Sequence, residues 1–382
     1  MTVWDELVGQ EPVVETLRGV VADPAGPTHA WLFTGPPGSG RSNAALAFAA
    51  ALQCAEEGCG DCESCVMAAA GSHPDIQVVR TGGLSIGVDA ARDAVRRAAL
   101  HPSVGRWQVL VVEDADRLTD QAANALLKSL EEPSPHTLWM LCAPAVEDVI
   151  VTIRSRCRSV VLRTPSASAI AELLVRRDGV EPQLAAATAA ASQGHIGRAR
   201  GLARDPEARR RRVAILQIPA RIGHLGDALA AARQVDEEAA SRAAARCDVA
   251  DERELDALKS SWGVEDRGRR PAGYAGALSS LKKEQTARRK RMARDAVDGV
   301  LLDLLSFCRD VVAVQLGAAH APADLVNADV AEQITGQARL WTTEETLAAI
   351  DAIVRCRDGL EANASPLLAL ERLMARFVPA SA

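Results

Sequence analysis

The pattern of apolar and polar positions changes along the chain at about residue 165. Before that point, short runs rich in β-branched and aromatic residues alternate with stretches in which apolar residues recur at helical spacing. This alternation is typical of a mainly parallel β-sheet covered by helices. After that point the strand-like runs stop and helical spacing continues. The pattern therefore predicts an α/β region followed by helical regions.

The first region carries signals for strands and helices in alternation. Its last helix should stop at Pro133, because a proline ring cannot continue a helix. The strands are predicted at Ala30–Thr34, Ile76–Val79, Trp107–Val112, Leu138–Cys142 and Ser159–Leu162. The helices are predicted at Glu11–Ala22, Asn43–Leu52, Val88–Leu100 and Thr119–Glu131.

Three domains are expected, because 382 residues exceed what a single compact core normally holds. Residues 1–164 form the α/β domain, 165–205 a small helical domain and 206–382 an all-α domain. Asp205-Pro206 marks the second join. The small domain is predicted to contain short helices at Ser166–Val175, Pro182–Ser192 and Gly197–Ala203. In the last domain, amphipathic helices are predicted at Val297–Val314 and Thr346–Leu360.

Composition narrows the class of protein. A hydrophobic fraction of 48% is ample for folding, and a net charge of −6 gives no general attraction to nucleic acid. Locally, seven of the thirteen residues of Lys282–Arg294 are basic. This run could contact phosphates or an acidic partner, but a solvated helix face explains it at least as well.

The N-terminal stretch, MTVWDELVGQ, has no basic segment followed by an apolar core, so no secretory signal is expected. No uninterrupted apolar run reaches the ~18 residues that a membrane span requires. We therefore expect a cytoplasmic protein without a membrane partner.

A glycine-rich segment follows the first predicted strand and opens a helix. It consists of Gly35, Pro36, Pro37, Gly38, Ser39, Gly40, Arg41 and Ser42. Glycines let the backbone approach a phosphate, and the free N–H groups at a helix start attract the anion. The spacing matches the phosphate-binding loop of P-loop proteins, except that Arg41 replaces the usual lysine. We therefore predict a nucleotide site that is altered at the residue nearest the terminal phosphate.

Glu113-Asp114 follows the buried strand Val109–Val112. In P-loop enzymes an acidic residue at this place holds Mg²⁺. The usual order is aspartate then glutamate, so the pair is inverted here. Two acidic residues at the end of a strand are also common without any function, and the loop at Gly35–Ser42 is what favours a metal-nucleotide role.

Four cysteines lie close together at Cys54, Cys59, Cys62 and Cys65. Four thiolates at this spacing, with glycines that let the chain bend, suit a tetrahedral Zn²⁺ ion. With all ligands supplied by protein, no position remains for water, so the zinc would be structural. The alternative is a set of reduced cysteines without a metal.

Several segments occur in a distinctive order. They are Val8-Gly9-Gln10, the loop at Gly35–Ser42, the four cysteines, the run from Ala123 to Pro133 (ANALLKSLEEP) and the run from Thr152 to Cys157 (TIRSRC). Together they resemble the clamp-loader branch of the AAA+ ATPases. The resemblance is specific over residues 1–165 and rests on composition and length beyond 205. It implies an AAA+ P-loop domain with a parallel sheet, a small helical lid domain and an all-α C-terminal collar domain that mediates oligomerisation.

The resemblance also implies a set of partners. The family forms a hetero-pentamer of gamma/tau, delta and delta-prime subunits within DNA polymerase III, which uses ATP to load the sliding clamp onto primer-template DNA in DNA replication. In this family the arginine of the Ser-Arg-Cys motif is a finger that reaches the neighbour's ATP, and here it is Arg156. Such a protein would lie in the bacterial cytoplasm, associated with the nucleoid through the replisome.

Departures from the family pattern indicate its silent type of subunit. Besides Arg41 and the inverted pair Glu113-Asp114, Ala143-Pro144 replaces a polar sensor of the γ-phosphate. Gly197 stands where a second sensor has arginine. These changes favour a delta-prime-type subunit without polymerase activity or efficient ATP hydrolysis. Weak binding of ATP or ADP and an empty loop both remain open, and structural Zn²⁺ is the other expected cofactor.

Two alternatives are kept. One is an active clamp-loader ATPase subunit of the gamma/tau type, in which Arg41 is tolerated. The other is a stand-alone zinc-containing DNA-binding protein that uses Lys282–Arg294, against which the net acidity weighs.

Overall fold

A computed structural model describes residues 2–80, 83, 85–264 and 271–379. The chain divides into two compact units, Met1–Arg204 and Asp205–Ala382. The first unit contains a β-sheet with its covering helices and three further helices. In the second unit, the secondary structure of the described residues is helical throughout.

The sheet at the centre of the first unit confirms the predicted strands. Its strands are β1 Ala30–Thr34, β2 Ile76–Val79, β3 Gln108–Val112, β4 Thr137–Ala143 and β5 Arg158–Val161. All are parallel, in the order β2-β3-β4-β1-β5. Every residue of β1, β3 and β4 is buried, as expected for strands with helices on both faces. The observed ends differ from the predicted ones by one residue at most, which is the normal uncertainty of strand ends.

The helices of the first unit cover both faces of the sheet. They are α1 Glu11–Ala22, α2 Arg41–Gln53, α3 Glu63–Ala69, α4 Val88–Ala98, α5 Asp120–Glu131, α6 Val151–Arg154, α7 Ala167–Asp178, α8 Pro182–Ala191 and α9 Ile196–Arg204. Trp31 and Phe33 pack with α2, whereas Leu32 packs with α5 on the other face. This division follows from the alternation of side chains along a strand. The sequence did not predict α3 and α6, which are too short to show a periodic pattern.

Helices α7 to α9 have a small core of their own, formed by residues such as Ile170, Leu174 and Ala185. The Ser166 hydroxyl caps α7 by accepting from the Ala169 N–H at 3.1 Å. Gly179, with φ of +64°, ends the helix. The three short helices predicted after the sheet are therefore confirmed.

The second unit is built around two long antiparallel helices. Its helices are α10 Pro206–Leu216, α11 Ile218–Arg221, α12 Leu225–Ser261, α13 Tyr274–Gln315, α14 Ala331–Leu340, α15 Thr343–Glu361 and α16 Pro366–Met374. The predicted helix Val297–Val314 is the C-terminal part of α13, which contributes Leu301, Leu304 and Phe307 to the core. The rest of α13 is too polar to show an apolar stripe. Among the described residues, none of the helices is both long and apolar enough to cross a membrane.

Candidate functional site

The glycine-rich loop joins β1 to α2, and its glycines adopt conformations that other residues rarely take. Gly38 and Gly40 have φ values of +85° and +91°, in the left-handed region where a Cβ is strained. A Cβ at Gly35 would lie 2.7 Å from the carbonyl oxygen of Leu162. Because α2 starts at Arg41, its first N–H groups adjoin the loop. The loop therefore has the backbone form that its sequence predicts.

Arg41 turns back onto the loop that precedes it. Its Nη1 donates to the carbonyl oxygen of Gly35 at 2.6 Å. Its charge also acts on Cys142 near the end of β4, where burial raises the pKa of the thiol to about 12 while Arg41 and the Ser42 hydroxyl oppose the shift. Arg41 therefore lies at the centre of the predicted nucleotide site, engaged with the loop's own backbone.

The predicted acidic pair follows β3, and its first member is bound by an arginine. Arg80, which follows the adjacent strand β2, donates to both carboxylate oxygens of Glu113, at 2.8 and 2.9 Å. Asp114 precedes a short 3₁₀ helix, Ala115–Arg117. Burial raises the pKa of Asp116, and the neighbouring Asp114 carboxylate adds to this. The carboxylate at the expected Mg²⁺ position is thus held by a guanidinium.

The strand end next to the loop offers only backbone groups. Ala143 is completely buried at the end of β4. The carbonyl oxygen of Pro144 accepts from the Gly35 N–H at 3.1 Å. At the position of the predicted sensor, this chain therefore uses its backbone to connect the loop to the sheet.

His195, to which the sequence gave no role, packs directly on the loop. A Cβ at Gly38 would lie only 2.5 Å from Cγ of His195. The Nδ1 atom of His195 accepts from the Arg198 N–H at 3.2 Å. Burial lowers the pKa of His195, and the charges of Arg198 and Arg41 lower it further, so the imidazole is neutral at pH 7. The helical segment α7–α9 therefore contacts the loop through His195, with Gly197 two residues further along.

Gln10 is a second residue that the sequence did not single out for a role. Its side chain is buried, donates to the carbonyl oxygen of Arg163 at 2.6 Å and accepts from the Arg163 N–H at 3.1 Å. It also donates to the carbonyl oxygen of Ser39, at the longer distance of 3.5 Å. Gln10 thus connects the segment before α1, the loop and the end of β5.

The four predicted metal ligands come together between α2 and α3. The Sγ atoms of Cys54, Cys59, Cys62 and Cys65 all lie within 4.8 Å of one another. Cys54 is 3.6 Å from Cys59 and 3.7 Å from Cys62. A tetrahedral ion with Zn–S bonds of about 2.3 Å separates its sulfurs by about 3.8 Å. The cluster therefore has the size of a tetrahedral zinc site and could hold a metal ion.

The charges of these thiols also fit a cation. Burial opposes ionisation of Cys54, yet the backbone N–H groups of Cys59, Gly58 and Glu56 lower its pKa to about 6. Burial and the neighbouring sulfurs raise the pKa of Cys65. Without a cation the first thiolate makes the next one harder to form, and a bound metal removes that conflict.

Arg156 lies on the surface just after α6. Its Nη1 donates to the carbonyl oxygen of Thr152 at 2.7 Å and to the Ser155 hydroxyl at 3.2 Å, and its Nη2 forms an ion pair with Glu131. About a third of the side chain (34%) is exposed. Ile150 and Val151, six and five residues earlier at the start of α6, are also exposed. In the first unit taken by itself, Arg156 is therefore partly accessible to a partner protein.

The basic run Lys282–Arg294 lies on α13 and is partly paired within the second unit. Arg288 forms ion pairs with Asp251 and Glu254 of α12. Arg289 pairs with Asp248 and Asp251. These contacts hold α12 and α13 together, so part of the run has a structural explanation.

Comparisons with known proteins agree on the first region. The family model described as "DNA polymerase III, delta subunit" matches residues 9–166. The delta' subunit of DNA polymerase III from Haemophilus influenzae is 38% identical over 159 residues, which are 41% of this chain and 49% of that protein. The gamma/tau subunit from Mycobacterium tuberculosis is 40% identical over 156 residues, 40% of this chain and 27% of that protein. The match thus spans about half, or less, of these relatives.

Two further similarities were found. The delta' subunit from Bacillus subtilis is 32% identical over 188 residues, 48% of this chain and 56% of that protein. A gamma subunit-related protein from Thermotoga maritima, a solved structure, is 16% identical with a TM-score of 0.43, covering 95% of this chain and 98% of that one. Residues 9–166 are thus similar to this family, and the predicted resemblance to delta-prime-type clamp-loader subunits is confirmed.

Proposed function

We propose that this chain is a catalytically silent, delta-prime-type stator that gives Arg156 as an arginine finger to an adjacent ATPase subunit. In this proposal it joins gamma/tau and delta subunits in a hetero-pentamer that loads the sliding clamp onto primer-template DNA. The observation that carries the proposal is a contrast. Arg41 and Glu113 are bound by groups beside the chain's own loop, whereas the Arg156 side chain, although it pairs with Glu131, stays 34% exposed and keeps N–H donors for a partner.

The surroundings of the loop support the silent part of the proposal. A nucleotide-bound Mg²⁺ needs a free carboxylate, but Arg80 occupies both oxygens of Glu113. Arg41 is engaged with Gly35, and Ala143 has no polar group to bind a γ-phosphate. Any ATP or ADP held by the loop and the start of α2 would therefore not be hydrolysed efficiently.

The surroundings of Arg156 support the finger. Ile150 and Val151, at the start of the same short segment, are exposed and available to be covered by a partner. A guanidinium delivered across a subunit interface stabilises the charge on a transferring phosphoryl group. Hydrolysis would then depend on assembly, because the two halves of the site belong to different subunits.

Zinc completes the proposal as a structural cofactor. Cys54, Cys59, Cys62 and Cys65 would hold it, and four sulfurs leave no coordination position for water. The zinc loop is anchored to the N-terminal segment, because the Gly58 carbonyl oxygen accepts from the Val3 N–H at 3.1 Å and that of Glu57 from Trp4 Nε1 at 3.1 Å. The second unit, residues 206–382, would supply the collar contacts between subunits. The protein would act in the bacterial cytoplasm as part of the replisome.

The test uses the reconstituted complex with clamp and primed DNA, with ATP turnover measured at the site next to this subunit. We expect Arg156→Ala to lower that turnover by on the order of 10³-fold, the smaller end of measured finger effects. Arg154→Ala, two residues away in the same motif, is the matched control and should leave it nearly unchanged. Assembly is checked by size-exclusion chromatography. Normal turnover in an assembled Arg156→Ala complex would refute the finger.

An active gamma/tau-type subunit is the second candidate, favoured by the 40% identity to a gamma/tau protein. Ser42→Ala separates the two, because Ser42 would hold Mg²⁺ in an active site. The purified chain should not hydrolyse ATP, and Ser42→Ala should leave turnover of the complex within about twofold of normal. Turnover by the chain alone that disappears with Ser42→Ala would establish the second candidate.

A further inference from the structure

Two motifs that are separate in the sequence meet at Arg156. One is the run from Ala123 to Pro133, which forms most of α5, and the other is the Ser-Arg-Cys motif after α6. Their meeting point is the ion pair between Glu131, the last residue of α5, and Arg156. The backbone carbonyl of Thr152 holds Nη1 of the same guanidinium. The Arg156 guanidinium is thus bound both by α5, through Glu131, and by α6, through Thr152.

The element that carries Glu131 is firmly attached to the sheet. Leu130 is completely buried, as is Ile153 of α6, and both belong to the same core. Ser129 accepts a hydrogen bond from Nε1 of the buried Trp139 of β4 at 3.1 Å. The two ends of the ion pair therefore stand on one rigid framework.

The position of Glu131 is not explained by helix stability. The C-terminal end of a helix carries a partial negative charge, so a carboxylate there is disfavoured. Glu132 follows it, and Pro133 ends the helix. The same negative helix end attracts a cation. The guanidinium of Arg156 therefore interacts favourably with both the helix end and the Glu131 carboxylate.

The pair also adds little to the stability of the fold. The side chains of Arg156 and Glu131 are 34% and 47% exposed, and exposed ion pairs contribute little to folding. What the contact does is to restrict a long, flexible side chain to one direction. A guanidinium has five N–H groups, so these contacts leave donors for a phosphoryl oxygen.

We propose that Glu131 is a positioning residue for the arginine finger, holding the Arg156 guanidinium in place for the phosphoryl group of the neighbouring subunit. This inference rests on the proposed function. A misplacement of about 1 Å can reduce a rate by on the order of 10²-fold, so a finger that must find its direction at each turnover works more slowly.

The experiment uses the complete reconstituted complex with clamp, primed DNA and the remaining ATPase sites inactivated. Glu131→Ala should lower kcat for ATP by roughly 10- to 100-fold with little change in KM, because orientation and not nucleotide affinity is lost. Glu131→Gln, which keeps the shape without the charge, should lie near Glu131→Ala, and Glu131→Asp should recover part of the rate. Glu132→Ala, at the exposed neighbouring carboxylate, is the control and should behave as wild type. Thermal unfolding and size-exclusion chromatography verify that the variants fold and assemble.

A double-mutant cycle separates this inference from the proposed function. Once Arg156 is alanine, Glu131→Ala should have no further effect on turnover. If it lowers turnover equally in both backgrounds, Glu131 acts elsewhere and the inference fails while the finger stands. A rise in turnover with Glu131→Ala would also overturn the inference, since the contact would then restrain the finger. If Arg156→Ala itself has no effect, the proposed function fails.

Discussion

Two arginines of the first unit, Arg41 and Arg156, are predicted from the sequence to meet phosphates, and their surroundings differ. Arg41 donates a hydrogen bond to Gly35 of its own loop, and His195 packs on Gly38 of the same loop. Arg156 is 34% exposed and forms an ion pair with Glu131. We call the loop Gly35–Ser42 the joint, because its contacts connect neighbouring segments of the unit, whereas Arg156 keeps an exposed part that the proposed finger role requires.

Three separate contacts connect this loop and the segments next to it to the rest of the first unit. Gln10 ties the segment before α1 to Arg163, Pro144 receives the Gly35 N–H, and His195 brings in the helices that follow the sheet. A loop that is satisfied in this way does not need a ligand to be ordered.

The largest effect that would sharpen the comparison is expected from the metal. Metal binding at cysteine-rich zinc sites is worth on the order of 10 kcal/mol, and α2 runs from the loop at one end to Cys54 at the other. Cys62→Ser should therefore release zinc and increase hydrogen exchange in α2 and in residues 2–6. The segment around α5 and α6, on the opposite face of the sheet, should change much less.

The measurement combines metal analysis with hydrogen-exchange mass spectrometry. Cys142→Ser alters a cysteine outside the cluster and serves as the control for zinc content. Absence of zinc from the wild-type protein would remove the metal from the proposal. Equal loosening of α2 and α6 would show that the two regions are not independently supported.

The sequence predicted what is local in the chain. The loop conformation depends on Gly38 and Gly40, and the cysteine cluster depends on spacing within twelve residues, so both could be derived from nearby residues. The strands were also predictable, because their apolar runs are continuous and bounded by turns.

The side-chain partners could not be predicted, because they are distant in sequence. Arg80 reaches Glu113 only because β2 lies beside β3, an order that apolar patterns do not reveal. The ion pair of Glu131 with Arg156 depends likewise on how α5 packs against α6. The sequence gave no reason to expect a contact between His195 and the loop. In that segment only Gly197 was compared with a family position, that of the second sensor.

A second, smaller effect tests the joint at Gly38. Gly38→Ala adds a Cβ that would lie 2.5 Å from His195, at φ of +85°, so we expect a loss of roughly 2–4 kcal/mol in the free energy of unfolding. Gly40→Ala is the matched control: its φ is +91°, but its Cβ would meet no heavy atom within 4 Å among the described residues. It should lose only the backbone part, about 1–2 kcal/mol.

Denaturant unfolding of both variants measures the difference. The combination of Gly38→Ala with His195→Ala should recover only a small part of the gap between the two glycine variants, because the Cα and Cβ atoms of residue 195, each 2.6 Å from the added Cβ, remain. Equal stability of Gly38→Ala and Gly40→Ala would mean that His195 does not press on the loop in solution.

The smallest effect is expected at the acidic pair Glu113-Asp114. It tests whether the proposed lack of ATP hydrolysis at the loop has one cause or several. Arg80→Ala frees the Glu113 carboxylate, yet it should change the free energy of unfolding by less than about 1 kcal/mol, because 62% of the Arg80 side chain is exposed. Binding of Mg²⁺ with a fluorescent ATP analogue should become slightly stronger, since a carboxylate is released. Turnover should still be absent, because Arg41 and Ala143 are unchanged.

Arg117→Ala, near the same strand end, is the control. If Arg80→Ala alone produced hydrolysis by the isolated chain, a single ion pair would account for the silence, and the loop would be a restrained ATPase site instead of a joint.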